Sequence, residues 1–276
     1  MLKKLLKYDF KSVFKYWWIA AVTTTALSVG AGFCGEILNS EKELPAAALV
    51  ISTLVIVLVA LSLFAFLTLS QLLVYIRFYK NLFTDEGYLT FTLPVKRNHI
   101  LNSKLLLGSA TTLTTGLLVI IDVLTILCIT FRKEIFNKVF FKDLFDNIET
   151  IVEEVGLFYI TSYIFEGLLS IVLFVVISAL FTFMCITIAS IIAKKAKIVT
   201  AIALYYGASS LITFFTQMFF MFGIGSIAEW VFELSDETIK LVVFLILLMA
   251  VFFLGSIAMA FYTFQYRMLD RKLNLS

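Results

Sequence analysis

Six apolar runs, at residues 18–34, 49–76, 105–131, 167–192, 198–222 and 241–262, are each of a length that crosses about 30 Å of hydrocarbon as a helix. Lipid offers no partner to an open backbone, so these runs must be helical. Composition agrees. With 61% hydrophobic residues among 276 and a mean hydropathy of +1.02, the chain carries more apolar surface than a water-soluble domain of this length buries. The expected fold is an all-α membrane protein with six transmembrane helices. The chain shows no internal repeat, low-complexity stretch or Pro/Gly/Ser linker, so residues 1–276 read as a single transmembrane domain.

The basic residues give the expected orientation. If the N-terminus is inside, the inner segments hold Lys3, Lys4, Lys7, Lys11, Lys15, Arg77, Lys80, Lys96, Arg97, Lys104, Lys194, Lys195, Lys197, Arg267, Arg271 and Lys272, sixteen of the 22 Lys and Arg. The outer segments hold the other six and most of the acids, including Glu149, Glu153, Glu154, Glu233, Asp236 and Glu237. Both termini are therefore expected in the cytoplasm of a multi-pass protein. Leu2, Leu5, Leu6, Phe10, Val13, Phe14 and Trp17 follow steps of three and four while five lysines fall on the other arc. Residues 1–17 thus read as an interfacial amphipathic helix ahead of the first span. Interleaving of those lysines with apolar residues argues against a cleaved signal peptide.

Several chemistries have no footing. The net charge of +3 is dispersed, so nucleic acid is not an expected partner. His99 is the only histidine, and Cys34, Cys128 and Cys185 form no CxxC pair, which leaves no recognisable metal site or nucleophile–histidine pair. There is no GxxxxGK[ST] loop, GxGxxG fingerprint or HExxH, so the chain is not expected to be an enzyme or to bind a nucleotide itself. A membrane enzyme using Asp122 and Glu166, and a scaffold or channel uncoupled from ATP, remain as alternatives.

Three extramembrane pieces stand out. In residues 132–156, Phe136, Phe140, Leu144, Phe145, Ile148, Ile151, Val152 and Val155 recur at helical spacing among charges, with Gly156 as a stop. Residues 223–240 mix Ile227, Trp230, Val231 and Phe232 with acids. Both read as extracellular amphipathic segments. Residues 77–104, between the second and third spans, read as a cytoplasmic coupling region in which Phe83, Tyr88 and Leu89 supply pocket-filling anchors beside the acidic pair Asp85 and Glu86. Gly87 suits a turn, and Pro94 a break before the third span.

That stretch, Arg77-Phe-Tyr-Lys-Asn-Leu-Phe-Thr-Asp-Glu-Gly-Tyr-Leu-Thr-Phe-Thr-Leu-Pro-Val-Lys-Arg97, resembles the corresponding connection of ABC-2 type transporter permeases, especially those of Gram-positive bacteria. The specific likeness is confined to about these twenty residues, and the rest is similar in layout. The resemblance implies a type V exporter-like architecture with an N-terminal elbow helix and a cytoplasmic coupling helix. It implies docking to a separate ABC ATPase subunit through residues 79–93, with Tyr79, Asn81, Leu82, Phe83, Asp85, Glu86, Gly87, Tyr88 and Leu89 at the contact. ATP and magnesium would be bound by that partner and no cofactor by this chain. A second permease chain, identical or different, would complete the path in a bacterial cytoplasmic membrane. The implied function is export of an amphipathic or hydrophobic substrate such as a toxin-like peptide, a drug or a lipid-like molecule.

Candidates for a translocation path are Asp122, Phe215, Met218 and Phe219. Asp122 sits mid-span, where a charge costs a few kcal/mol unless paired or hydrated. It reads as a path residue, as a protonated carboxyl packing helices together, or as the sign of a span shifted toward the outer leaflet. The Phe and Met side chains of the fifth span offer an adaptable apolar surface. Glu166 marks the outer boundary of the fourth span or contacts substrate.

Overall fold

The computed structural model describes residues 2–40, 45–84, 86–87, 97–193, 196–232 and 234–271, without the side chains of residues 2, 97, 138, 219–220, 222–232 and 270–271. Every named element is an α-helix: α1 (Leu2–Leu38), α2 (Ala46–Phe83), α3 (Arg97–Thr130), α4 (Arg132–Ile135), α5 (Lys138–Val155), α6 (Leu157–Ile192), α7 (Lys197–Phe232) and α8 (Asp236–Arg271). Six of them (α1, α2, α3, α6, α7 and α8) are long and apolar enough to cross a membrane. The chain is a multi-pass membrane protein.

The helices exceed their apolar runs. α1, with 37 residues, is about 55 Å long against a hydrocarbon thickness of roughly 30 Å. The expected interfacial helix of residues 1–17 is therefore not a separate element, because no glycine or proline precedes Gly30 to break α1. The apolar arc of that segment is covered by protein. Asp9, Val13, Trp17 and Ala21, four residues apart, are all buried. Likewise α2 continues to Phe83, taking the first residues of the expected loop. Within the expected outer segment 223–240, α7 runs to Phe232 and α8 starts at Asp236, so most of it is helical. The amphipathic helix expected within 132–156 forms as α5, and Gly156 ends it with φ +92°, a left-handed backbone that favours glycine.

The chain divides into two compact units, residues 1–78 with 102–151 and residues 79–101 with 152–276. Their boundaries fall inside helices, which is why no linker composition announces them. In the first unit α1 and α3 run parallel, because their cross-links keep a nearly constant sequence separation. Lys104 to Asp9 is separated by 95 residues, Trp17 to Thr115 by 98 and Asn39 to Glu134 by 95. α2 returns antiparallel between them in sequence, joining Gln71 Nε2 to Thr112 Oγ1 at 2.8 Å and stacking Phe66 on Trp17. Small residues let the pair close. A Cβ on Gly32 would stand 2.8 Å from Ile129 Cβ.

The second unit repeats the plan with α6 and α8 parallel. Tyr163 Oη donates to the Lys240 carbonyl at 2.7 Å across 77 residues, and Gln265 Nε2 to Thr187 Oγ1 at 2.7 Å across 78. Phe181 stacks on Phe261 in the same register and touches Tyr205 of α7.

Gly32→Ala should lower stability by about 1–3 kcal/mol through overpacking. Gly30→Ala, which would meet nothing within 4 Å, should leave the detergent-solubilised unfolding midpoint unchanged. Equal midpoints for the two variants would refute the close approach of α1 and α3.

Candidate functional site

A buried ionic cluster lies in the first unit, formed with residues that flank the α2–α3 connection in sequence. Asp9, on the covered arc of α1, is 3% exposed, and Lys104, two turns into α3, is 4% exposed. Lys104 Nζ donates to both Asp9 carboxylate oxygens, at 2.7 and 2.6 Å, and Arg77 Nε of α2 donates to Oδ1 at 3.2 Å. One carboxylate thus joins three helices of the first unit. A carboxylate in such surroundings is retained only with paired, hydrogen-bonded partners.

The connection itself separates covered from open residues. Leu82 is 1% exposed and Asn81 7%, and Gly87 is buried with its amide donating to the Thr84 carbonyl at 2.7 Å. A Cβ on Gly87 would lie 2.6 Å from the Leu82 carbonyl oxygen, so glycine is required by this close approach. Ile100 and Leu101 of α3 are also buried. Lys80, Thr84 and Glu86 are exposed, and Tyr79 and Phe83 are half-buried with stacked rings 6.2 Å apart. Of the nine sequence-predicted docking residues, Asn81, Leu82 and Gly87 are thereby packed within the chain, and Glu86 is open. Asp85, Tyr88 and Leu89 lie outside the described residues.

Asp122 of α3 is fully buried in the first unit beside Thr25 of α1. Thr25 spends its hydroxyl on the Ala21 carbonyl at 3.0 Å, and neither carboxyl oxygen of Asp122 has a hydrogen-bond partner among the described residues. Phe215 and Met218 belong to the second unit and are exposed on α7 at 65% and 41%. The Phe219 side chain lies outside the described residues. Glu166 is 6% exposed inside the unbroken helix α6, covered by protein.

Two features escape the sequence reading. Asp9 is one, although its place on the apolar arc of α1, in step with Leu5 and Val13, marks it as an acid that must be paired. The other is a cleft of about 480 Å³ at the far end of α1 and α3, lined by Glu36, Asn39, Ser40, Thr130, Phe131, Lys133 and Glu134. It depends on which helix ends meet, which no local pattern encodes. Among the described residues, no group of three or more His, Cys, Asp or Glu side chains is placed to hold a metal. Compared with protein-family models, with curated proteins and with solved structures, the chain matches none.

Asp9→Ala should destabilise the protein by about 3–5 kcal/mol by removing the carboxylate that Lys104 pairs with in a dry site. The double variant Asp9→Leu with Lys104→Met should recover most of that loss. Thermal unfolding in detergent measures both, and a double variant as unstable as Asp9→Ala would contradict the pairing.

Proposed function

We propose that this chain is the permease subunit of an ATP-driven ABC-2 type exporter, with both termini and the α2–α3 connection in the cytoplasm. The observation that carries this reading is the connection itself. Its covered side (Asn81, Leu82, Gly87) rests on its own chain, and Lys80, Thr84 and Glu86 are exposed on the other. Half-buried Tyr79 and Phe83 flank that open side, and an aromatic anchor beside charged selectors is a docking surface of ordinary chemistry. The likeness of residues 77–97 to ABC-2 permeases and the excess of Lys and Arg on the N-terminal side support the same assignment.

In this mechanism the ATP-binding subunit supplies the energy and this chain the path. A partner engaging Phe83 and Glu86 moves the end of α2. Arg77, Asp9 and Lys104 tie α2, α1 and α3 together within the first unit, so a displacement carried along α2 is passed to the three helices as levers. A second permease chain faces the first across the path. Asp122, Phe215, Met218 and Phe219 are the proposed path residues, and an amphipathic or hydrophobic molecule is the proposed cargo.

Copurification with a coexpressed ABC ATPase from the same genome tests the proposal. Asp85→Lys combined with Glu86→Lys should release the ATPase while leaving permease yield unchanged. Gly87→Ala, by forcing the Leu82 carbonyl aside, should weaken retention about tenfold or more, the equivalent of roughly 1.4 kcal/mol. ATPase retained at wild-type levels by both variants would contradict docking at this segment.

A further inference from the structure

We propose that α5 is an interfacial helix whose apolar face is seated in lipid, at the membrane surface where α3 ends. Phe141, Leu144, Phe145, Ile148 and Ile151 fall on one side of α5 at helical spacing, and all are exposed, from 39% to 65%. Lys142, Asp146, Glu149 and Glu153 occupy the opposite side. A helix so divided, with its apolar half uncovered by its own chain, needs an apolar partner.

The chain itself says which partner. α5 is tethered at both ends to spans: α3 ends at Thr130, seven residues before it, and α6 begins at Leu157, one residue after Gly156. The positive φ of Gly156 breaks the helical path, so α5 does not extend α6 away from the membrane as one rod. The C-terminal end is also fastened. Lys240 Nζ donates to the Glu154 carbonyl, and Tyr163 Oη to the carbonyl of Lys240. Just after Gly156, Leu157 and Phe158 at the start of α6 are exposed at 66% and 68%. As part of an apolar span they call for lipid one residue beyond the end of α5 in the chain.

Charge indicates the kind of lipid surface. α5 carries two lysines against five acids, Asp143, Asp146, Glu149, Glu153 and Glu154. Attraction to anionic headgroups is therefore not what holds it, and burial of the phenylalanines is. A zwitterionic surface suffices. The inference does not depend on which protein docks at the α2–α3 connection.

The test uses the full chain in phosphatidylcholine nanodiscs, with Cys34 and Cys128 replaced by serine and the buried Cys185 left in place. A nitroxide is attached in separate variants at Phe145→Cys, Ile148→Cys, Asp146→Cys and Glu149→Cys. Labels at 145 and 148 should favour collision with oxygen over an aqueous nickel chelate severalfold more than labels at 146 and 149. Equal nickel access at all four positions would overturn the proposal, since the apolar face would then stand in water. Dipolar broadening at 145 that disappears on dilution with unlabelled protein would also overturn it, by assigning that face to a second copy. A contrast seen only when phosphatidylglycerol is added would refute the charge argument.

Discussion

A single carboxylate in a dry place organises the first half of this protein. Asp9 has negligible access to water, and the cations of Lys104 and Arg77 help make its charge tolerable there. Sliding α1 by one turn against α2 and α3 would separate these charges in a medium with nothing to replace them. The pair therefore acts chiefly on register. Given that register, Trp17 reaches Thr115, Gly32 meets Ile129, and α1 and α3 stay parallel along their length. Small and hydroxylated residues finish the contact, with Thr24, Ser28, Thr111 and Thr115 returning their hydroxyls to their own helices so that backbones can approach.

The number and approximate positions of the spans were legible because they follow from one-dimensional hydropathy, which the bilayer imposes directly. So was α5, whose 3.6-residue alternation and terminal glycine are local signals. The lengths of α1, α2 and α7 were not. A hydropathy run ends where lipid ends, but a helix ends where its backbone is broken, and nothing breaks α1 between Leu2 and Leu38 or α7 before Phe232. An apolar arc with lysines opposite reads equally as a helix on a membrane or a helix against protein. Only the acid within that arc, Asp9, distinguishes the two, and its meaning appears once Lys104 is seen beside it.

At the α2–α3 connection, the density of aromatic and charged residues was legible but its division into two sides was not. Leu82 and Gly87 look like contact residues in a list, yet Leu82 is buried and Gly87 closes onto its carbonyl. Their service is to hold the segment's shape, and Glu86 and Thr84 are the exposed residues beside them. Similarly, hydropathy located Asp122 in a span, and the packing adds that its carboxyl is enclosed without a hydrogen-bond partner among the described residues. Phe215 and Met218 face outward on α7, a surface open to lipid or to another chain.

The central claim is that the α2–α3 connection stands on the cytoplasmic side, where an ATP-driven partner can reach it. Its most direct test is the labelling of a cysteine at Thr84, with Cys34 and Cys128 removed, by a membrane-impermeant maleimide. The account predicts modification in inverted membrane vesicles and none in intact cells. Modification in intact cells would place the connection outside and contradict it.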